Sequence, residues 1–152
     1  MKVCIGGTFD IIHKGHKLLI SKAFEIANEN GTVFIGITSD DLIKNKKETR
    51  SCNSRKKSVK KFLEKKETLD KAIIKKINNK FGPTVDEDFD AIVVSPETVK
   101  TAEEINKIRK NKGKKPIKIV KIPFVLADDG KPISSTRIRN GEIDTEGYIV
   151  TD

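Results

Sequence analysis

Gly6-Gly7-Thr8-Phe9-Asp10-Ile11-Ile12-His13-Lys14-Gly15-His16 is the stretch that decides the fold. Before it, Val3 to Ile5 is short, apolar and rich in β-branched side chains. After it, Leu18, Leu19, Ala23, Phe24, Ile26 and Ala27 recur at helical spacing until Asn30-Gly31 stops them. A strand therefore hands over to a helix through a turn. The two glycines let backbone N–H groups come close to an anion, and the free N–H groups and positive dipole end of the helix favour negative charge. His13 and His16 lie three apart and share a helix face. An imidazole there can donate to a phosphate oxygen, and its unperturbed pKa of about 6.5 lets a nearby phosphate keep it protonated. No Gly-Lys-Ser/Thr closes the turn as in a Walker loop, and the third glycine of a dinucleotide fingerprint is missing.

Working outward, strands and helices alternate. Thr32 to Thr38 is a second strand, and Ser39-Asp40-Asp41 caps a short helix through Ile43. Lys44 to Arg55 reads as a basic loop. Val59, Phe62 and Leu63, continued by Leu69, Ile73, Ile74 and Ile77, read as amphipathic helix that ends near Phe81-Gly82-Pro83. Asp90 to Ser95 is a third strand, Thr101 to Lys112 a helix with Ala102, Ile105 and Ile108 inward, and Ile117 to Ile122 a fourth strand. Asp128-Asp129-Gly130 is a turn, and a short helix starts at Ser134. This order predicts an α/β, Rossmann-like, doubly wound parallel sheet with flanking helices, in a single domain over residues 1–152. Ligands of such sheets bind beyond the carboxyl ends of the strands, where Gly6 to Asp10, Thr38 to Lys46 and Ser95 to Thr98 converge.

The net charge of +9 is largely local, since Lys44 to Lys66 holds eleven Lys or Arg against two Glu. A nucleic-acid site of this kind would carry exposed aromatics or a groove-reading motif, and neither is present, so the run reads as a solvated lysine face with a role in steering polyanionic substrates second. No apolar run approaches about twenty residues and the N-terminus enters a strand directly, which predicts a cytoplasmic protein without a membrane span. Cys4 is expected in the core and Cys52 as a solvated bystander in the basic loop, without a disulfide framework.

Two separated motifs carry a family resemblance. The Gly-Thr-Phe-Asp and His-x-Gly-His elements of the opening stretch, and Ile133-Ser134-Ser135-Thr136-Arg137-Ile138-Arg139 near the other end, resemble the signatures of the nucleotidyltransferase superfamily. Gly36 to Lys46, Val93 to Thr98 and the Asn106-x-x-Arg109 pair are similar to phosphopantetheine adenylyltransferases of archaeal and eukaryotic type, over nearly the whole chain. That resemblance implies transfer of AMP from ATP to 4′-phosphopantetheine, with dephospho-coenzyme A and pyrophosphate as products and magnesium accompanying ATP. The alternatives are an FAD synthetase or a glycerol-phosphate cytidylyltransferase within the superfamily, and a basic nucleic-acid-binding module outside it. Oligomeric state is left open. The bacterial branch carries Arg-Gly-x-Arg where this chain has Ser95-Pro96-Glu97-Thr98, so Lys100, Arg109, Arg137 or Arg139 must supply that charge.

Chemistry of this class needs two anions held together and the transition-state charge neutralised. His16 is assigned to the α-phosphate as a catalytic residue, and His13 with Gly6, Phe9 and the turn to the triphosphate. Thr8 is expected to orient the acceptor phosphate, helped by Lys44 or by Lys46, the second catalytic candidate. Asp10 reads first as a turn residue and second as an acceptor-side contact. Ser134, Ser135 and Thr136 are donors for the leaving phosphates with Arg139 or Arg137 as counter-charge, while Asn106 and Arg109 complete the nucleotide side. No protein ligand for a metal is assigned.

Overall fold

The computed structural model describes residues 1–44 and 47–150. Five strands form one all-parallel sheet: β1 (Lys2–Gly7), β2 (Thr32–Thr38), β3 (Ala72–Ile77), β4 (Ala91–Val94) and β5 (Lys118–Lys121), in the order β3-β2-β1-β4-β5. Helices α1 (Lys14–Ala27), α2 (Cys52–Lys65), α3 (Val99–Asn111) and α4 (Ser135–Arg139) complete it. The chain winds from β1 outward to β3, then crosses back to place β4 on the other side of β1. The crevice of this doubly wound fold therefore opens between the carboxyl ends of β1 and β4.

Alternation along the strands sets the two layers. Val3, Ile5, Val33, Ile35 and Ile37 are fully buried on one face, in a cluster with Ile20, Ala23 and Ala27 of α1 and Val59 and Leu63 of α2. Cys4, Phe34, Ile92 and Val94 form the other face with Ala102 and Ile105 of α3. Full burial of a Val, Leu or Ile contributes about 1.5–3 kcal/mol, so these inner strands are a stiff base for the turns at their ends.

The expected helix through Ile77 is corrected. Leu69–Lys71 is a single 3₁₀ turn, and Ala72–Ile77 is the edge strand β3, paired with β2 from Val33↔Ala72 to Thr38↔Ile77. Ile74 packs inward and Ile73 stays 40% exposed, so adjacent isoleucines on opposite faces imitated helical spacing. Three isoleucines suit a pleated surface, and the unpaired edge of β2 supplies the hydrogen bonds. Helix α2 also begins earlier than expected, at Cys52, because Ser51 caps it by accepting from the Ser54 amide at 3.2 Å. Cys52 is thereby buried rather than solvated, its amide bonded to Asp40 Oδ1 at 2.9 Å. Cys4 is buried as expected, and burial pushes its thiol up to about 12. On α2 the lysines Lys57, Lys60, Lys61 and Lys65 are exposed, in keeping with a solvated face. Among the described residues, no helix is long and apolar enough to cross a membrane.

Candidate active site

A cleft of about 650 Å³ lies at the carboxyl ends of β1, β2 and β4, lined among others by Gly6, Thr8, His16, Thr38, Ser134 and Arg139. The turn after β1 is built around Phe9, whose backbone adopts φ +50° and whose ring is 1% exposed. A Cβ on Gly7 would stand 3.1 Å from that ring, which explains the glycine. Phe9 also lies 5.1 Å from the His16 ring, centroid to centroid. Its ring is thus a buried support for His16, while the residue lines the cleft.

His13 and His16 form a reciprocal cap at the start of α1. His13 Nδ1 accepts from the Gly15 amide at 3.0 Å, and His16 Nδ1 accepts from the His13 amide at 3.3 Å. A capping box normally uses a hydroxyl and a carboxyl or amide, and here two imidazoles satisfy the same orphan donors. Because each Nδ1 accepts, each neutral ring carries its proton on Nε2, and the Ile11 carbonyl acts as a hydrogen-bond acceptor for the His16 ring. The rings stack at 3.8 Å with 24° between planes. Burial lowers the His13 pKa to about 4; burial, then the neighbouring His13, lowers that of His16 to about 3. In the free protein both rings are therefore neutral; the expectation that a phosphate keeps them protonated concerns the occupied site. Gly15 is required by the same arrangement, since a Cβ there would lie 2.9 Å from His13 Cε1.

The Thr8 and Thr38 part of the cleft is organised by an arginine that sequence reading passed over. Arg55, fully buried on α2, donates to the Thr8 carbonyl at 2.9 Å, the Arg50 carbonyl at 2.9 Å, Asp40 Oδ1 at 3.0 Å and Thr38 Oγ1 at 3.4 Å. Thr38 in turn donates to Thr8 Oγ1 at 3.3 Å. The signal for Arg55 was its spacing with Val59 and Leu63, which puts a cation on the apolar face of α2. Lys44 is exposed at the rim of the cleft. Lys46, the companion candidate, lies outside the described residues. Asp10 is 3% exposed, and its carboxylate accepts from the Arg50 amide at 3.0 Å, from Arg50 Nε at 3.3 Å and from Arg139 Nη1. Asp10 lines the cleft and its carboxylate holds two arginines there.

The second motif closes the cleft. Ser134 caps α4, accepting from the Arg137 amide at 3.2 Å and keeping its own hydrogen free. Ser135 accepts from the Ile11 amide at 3.3 Å and faces the Ile11 carbonyl at 3.4 Å. It is thus the latch between the two motifs, at the lining of the cleft. Thr136 Oγ1 accepts from Arg139 at 3.3 Å, leaving its hydrogen available. Of the two candidate counter-charges, Arg139 lines the cleft, whereas Arg137 turns to Asp129, Glu142 and the Pro132 carbonyl.

Asn106 and Arg109 are corrected as well. Asn106 clasps the Ile117 backbone, donating to its carbonyl at 2.8 Å and accepting from its amide at 2.7 Å. Arg109 is 1% exposed and donates to the carbonyls of Lys115, Thr84 and Glu87 and to Asp88. Both pin α3 to neighbouring loops and line no part of the cleft. Among the described residues, no group of three or more His, Cys, Asp or Glu is placed to hold a metal ion.

Residues 4–141 match the cytidylyltransferase-like family model. Over 149 residues the chain is 48% identical to a phosphopantetheine adenylyltransferase of Methanosarcina acetivorans, covering 97% of this chain and 95% of the relative. Over 151 residues it is 44% identical to one of Archaeoglobus fulgidus, covering 99% and 100%. A solved structure of a protein of unknown function from Archaeoglobus fulgidus aligns with TM-score 0.73 at 39% identity, over 80% of this chain and 89% of that one. Two paired motifs on one cleft, a doubly wound parallel sheet and relatives of this identity along almost their full length agree: the chain belongs to the cytidylyltransferase-like nucleotidyltransferases and, among them, to the phosphopantetheine adenylyltransferases.

Proposed function

We propose that this cleft transfers the adenylyl group of ATP directly to the phosphate of 4′-phosphopantetheine, giving dephospho-coenzyme A and pyrophosphate, and that it does so in the cytoplasm. One set of contacts supports the division of labour: Ser135 of the second motif is latched to Ile11 beside the histidine cap, whereas Thr8 and Thr38 are joined to each other and to Arg55. An acceptor-phosphate oxygen attacks the α-phosphorus in line, the bond from that phosphorus to the bridging oxygen breaks, and pyrophosphate departs with the electron pair. No side chain is consumed in this step. His16 Nε2–H donates to the α-phosphate, where charge builds, and His13 Nε2–H to the phosphates beyond it. The Ser134 and Thr136 hydroxyls and Arg139 receive the leaving group. Thr8 and Lys44 hold the acceptor phosphate, Lys44 acting as a point charge.

Magnesium, when bound, shields the triphosphate charge. Among the described residues the cleft offers imidazoles, hydroxyls, cations and two carboxylates, Asp10, engaged by Arg50 and Arg139, and Glu97, with no cluster of acidic groups, which suits a metal carried mainly on the nucleotide by phosphate oxygens and water.

Pyrophosphate release measured with ATP or CTP against phosphopantetheine, FMN and glycerol phosphate tests the reading. Turnover with ATP and phosphopantetheine is expected. Turnover confined to CTP or to FMN would refute it, as would an inactive protein with salt-sensitive RNA binding.

A further inference from the structure

We infer that Arg55 and Thr38 are positioning residues for the acceptor phosphate: a one-way hydrogen-bond chain from the buried guanidinium through the Thr38 hydroxyl fixes the Thr8 hydroxyl as a donor into the cleft. The inference rests on the reading of Thr8 as the acceptor-side donor and adds what gives that hydroxyl its direction.

The polarity follows from the chemistry of the groups. A guanidinium has donors and no acceptor. Arg55 Nη1 donates to Thr38 Oγ1 at 3.4 Å, so that oxygen is an acceptor toward Arg55 and turns its single hydrogen elsewhere. It goes to Thr8 Oγ1 at 3.3 Å. Thr8 Oγ1, now an acceptor toward Thr38, has its own hydrogen left over on a half-buried residue at the cleft wall. The same Nη1 donates to the Thr8 carbonyl at 2.9 Å, which fixes the backbone that carries the hydroxyl. A guanidinium cannot accept, so the Arg55–Thr38 link runs one way, and the geometry of the Thr38–Thr8 bond makes Thr38 its donor. An ionised phosphate offers only acceptors, and a hydroxyl held as a donor suits it.

Thr38→Val keeps the shape of the side chain and removes the relay, while Thr38→Ser restores it. Steady-state kinetics of the full chain with ATP and 4′-phosphopantetheine would read the effect. Thr38→Val is expected to raise KM for phosphopantetheine about tenfold, the scale of one misaimed hydrogen bond to a charged group, with KM for ATP unchanged. Thr38→Ser is expected to match the unsubstituted protein. The Thr8→Val/Thr38→Val double variant is expected to be no worse than Thr8→Val alone, because the relay has no function once Thr8 is gone. A purely structural Thr38 would instead give additive losses and shift both KM values. An unchanged phosphopantetheine KM in Thr38→Val, beside a raised one in Thr8→Val, would overturn the relay and leave Thr8 in its role. An unchanged KM in Thr8→Val would remove Thr8 itself and the relay with it.

Discussion

The neutral histidine pair predicts how stability depends on pH. His13 and His16 are the only two histidines in the chain, so nearly all imidazole titration belongs to this site. In the unfolded chain each titrates near its ordinary value of about 6.5. In the fold, burial lowers His13 to about 4 and His16 to about 3. Between these values the unfolded state binds protons that the folded state refuses. The stabilising contribution is therefore complete above about 6.5 and is lost as the pH falls toward the folded-state values. From pH 7 to pH 5 the loss is about 2 kcal/mol for each ring, on a total that for domains of this size is about 5–15 kcal/mol. Urea unfolding at the two pH values, compared with His13→Asn/His16→Gln, isolates the effect. The substitutions keep an acceptor at the cap and at its third residue, so the helix start survives. The variant is expected to lose at least about 2 kcal/mol less than the natural chain between pH 7 and pH 5. Equal losses, or imidazole resonances titrating near 6.5 in the folded protein, would refute the neutral, Nδ1-accepting pair.

Other outcomes follow from the same geometry. Gly15→Ala sets a methyl against His13 Cε1 and displaces the ring; kcat is expected to fall at least about tenfold, and an unaltered kcat would show that the ring yields freely. Arg55→Met leaves the carbonyls of Thr8 and Arg50 without their buried donor, and a loss of about 3 kcal/mol or more is expected in denaturant unfolding. Arg109→Lys breaks the clasp on Thr84, Glu87 and Lys115; a lowered Tm with an unchanged KM for ATP is expected, and a selective rise in that KM would return Arg109 to the nucleotide side.

What the sequence displays is governed by period and by local chemistry. The β1 turn, both motifs and the alternation of strands with α1 and α3 could be read because each has a local cause: glycines at a turn, a hydroxyl at a cap, apolar residues at a fixed spacing. Strand β3 could not, because Ile73, Ile74 and Ile77 fit a helical stripe as well as an edge strand, and the edge of β2 that decides between them lies far away in sequence. Polar residues turned inward were the second blind spot. Asn106 and Arg109 have the chemistry of nucleotide contacts and are used to hold loops, whereas Arg55, hidden in a lysine-rich run, reaches beneath the acceptor side. A side chain's type gives what it can bond, and only the fold gives which partner it meets. The histidines show both: their place at the cleft was legible, but their charge state depends on burial and on the amides they cap.

The central claim is that the histidine side of the cleft drives direct adenylyl transfer to phosphopantetheine. The most direct measurement is the joint yield of dephospho-coenzyme A and pyrophosphate from ATP and 4′-phosphopantetheine, for the natural chain and for His16→Asn. The account predicts equimolar products from the natural chain and a kcat at least about a hundredfold lower in the variant, the scale of a lost transition-state donor. Equal kcat in the two proteins, or pyrophosphate without dephospho-coenzyme A, would contradict it.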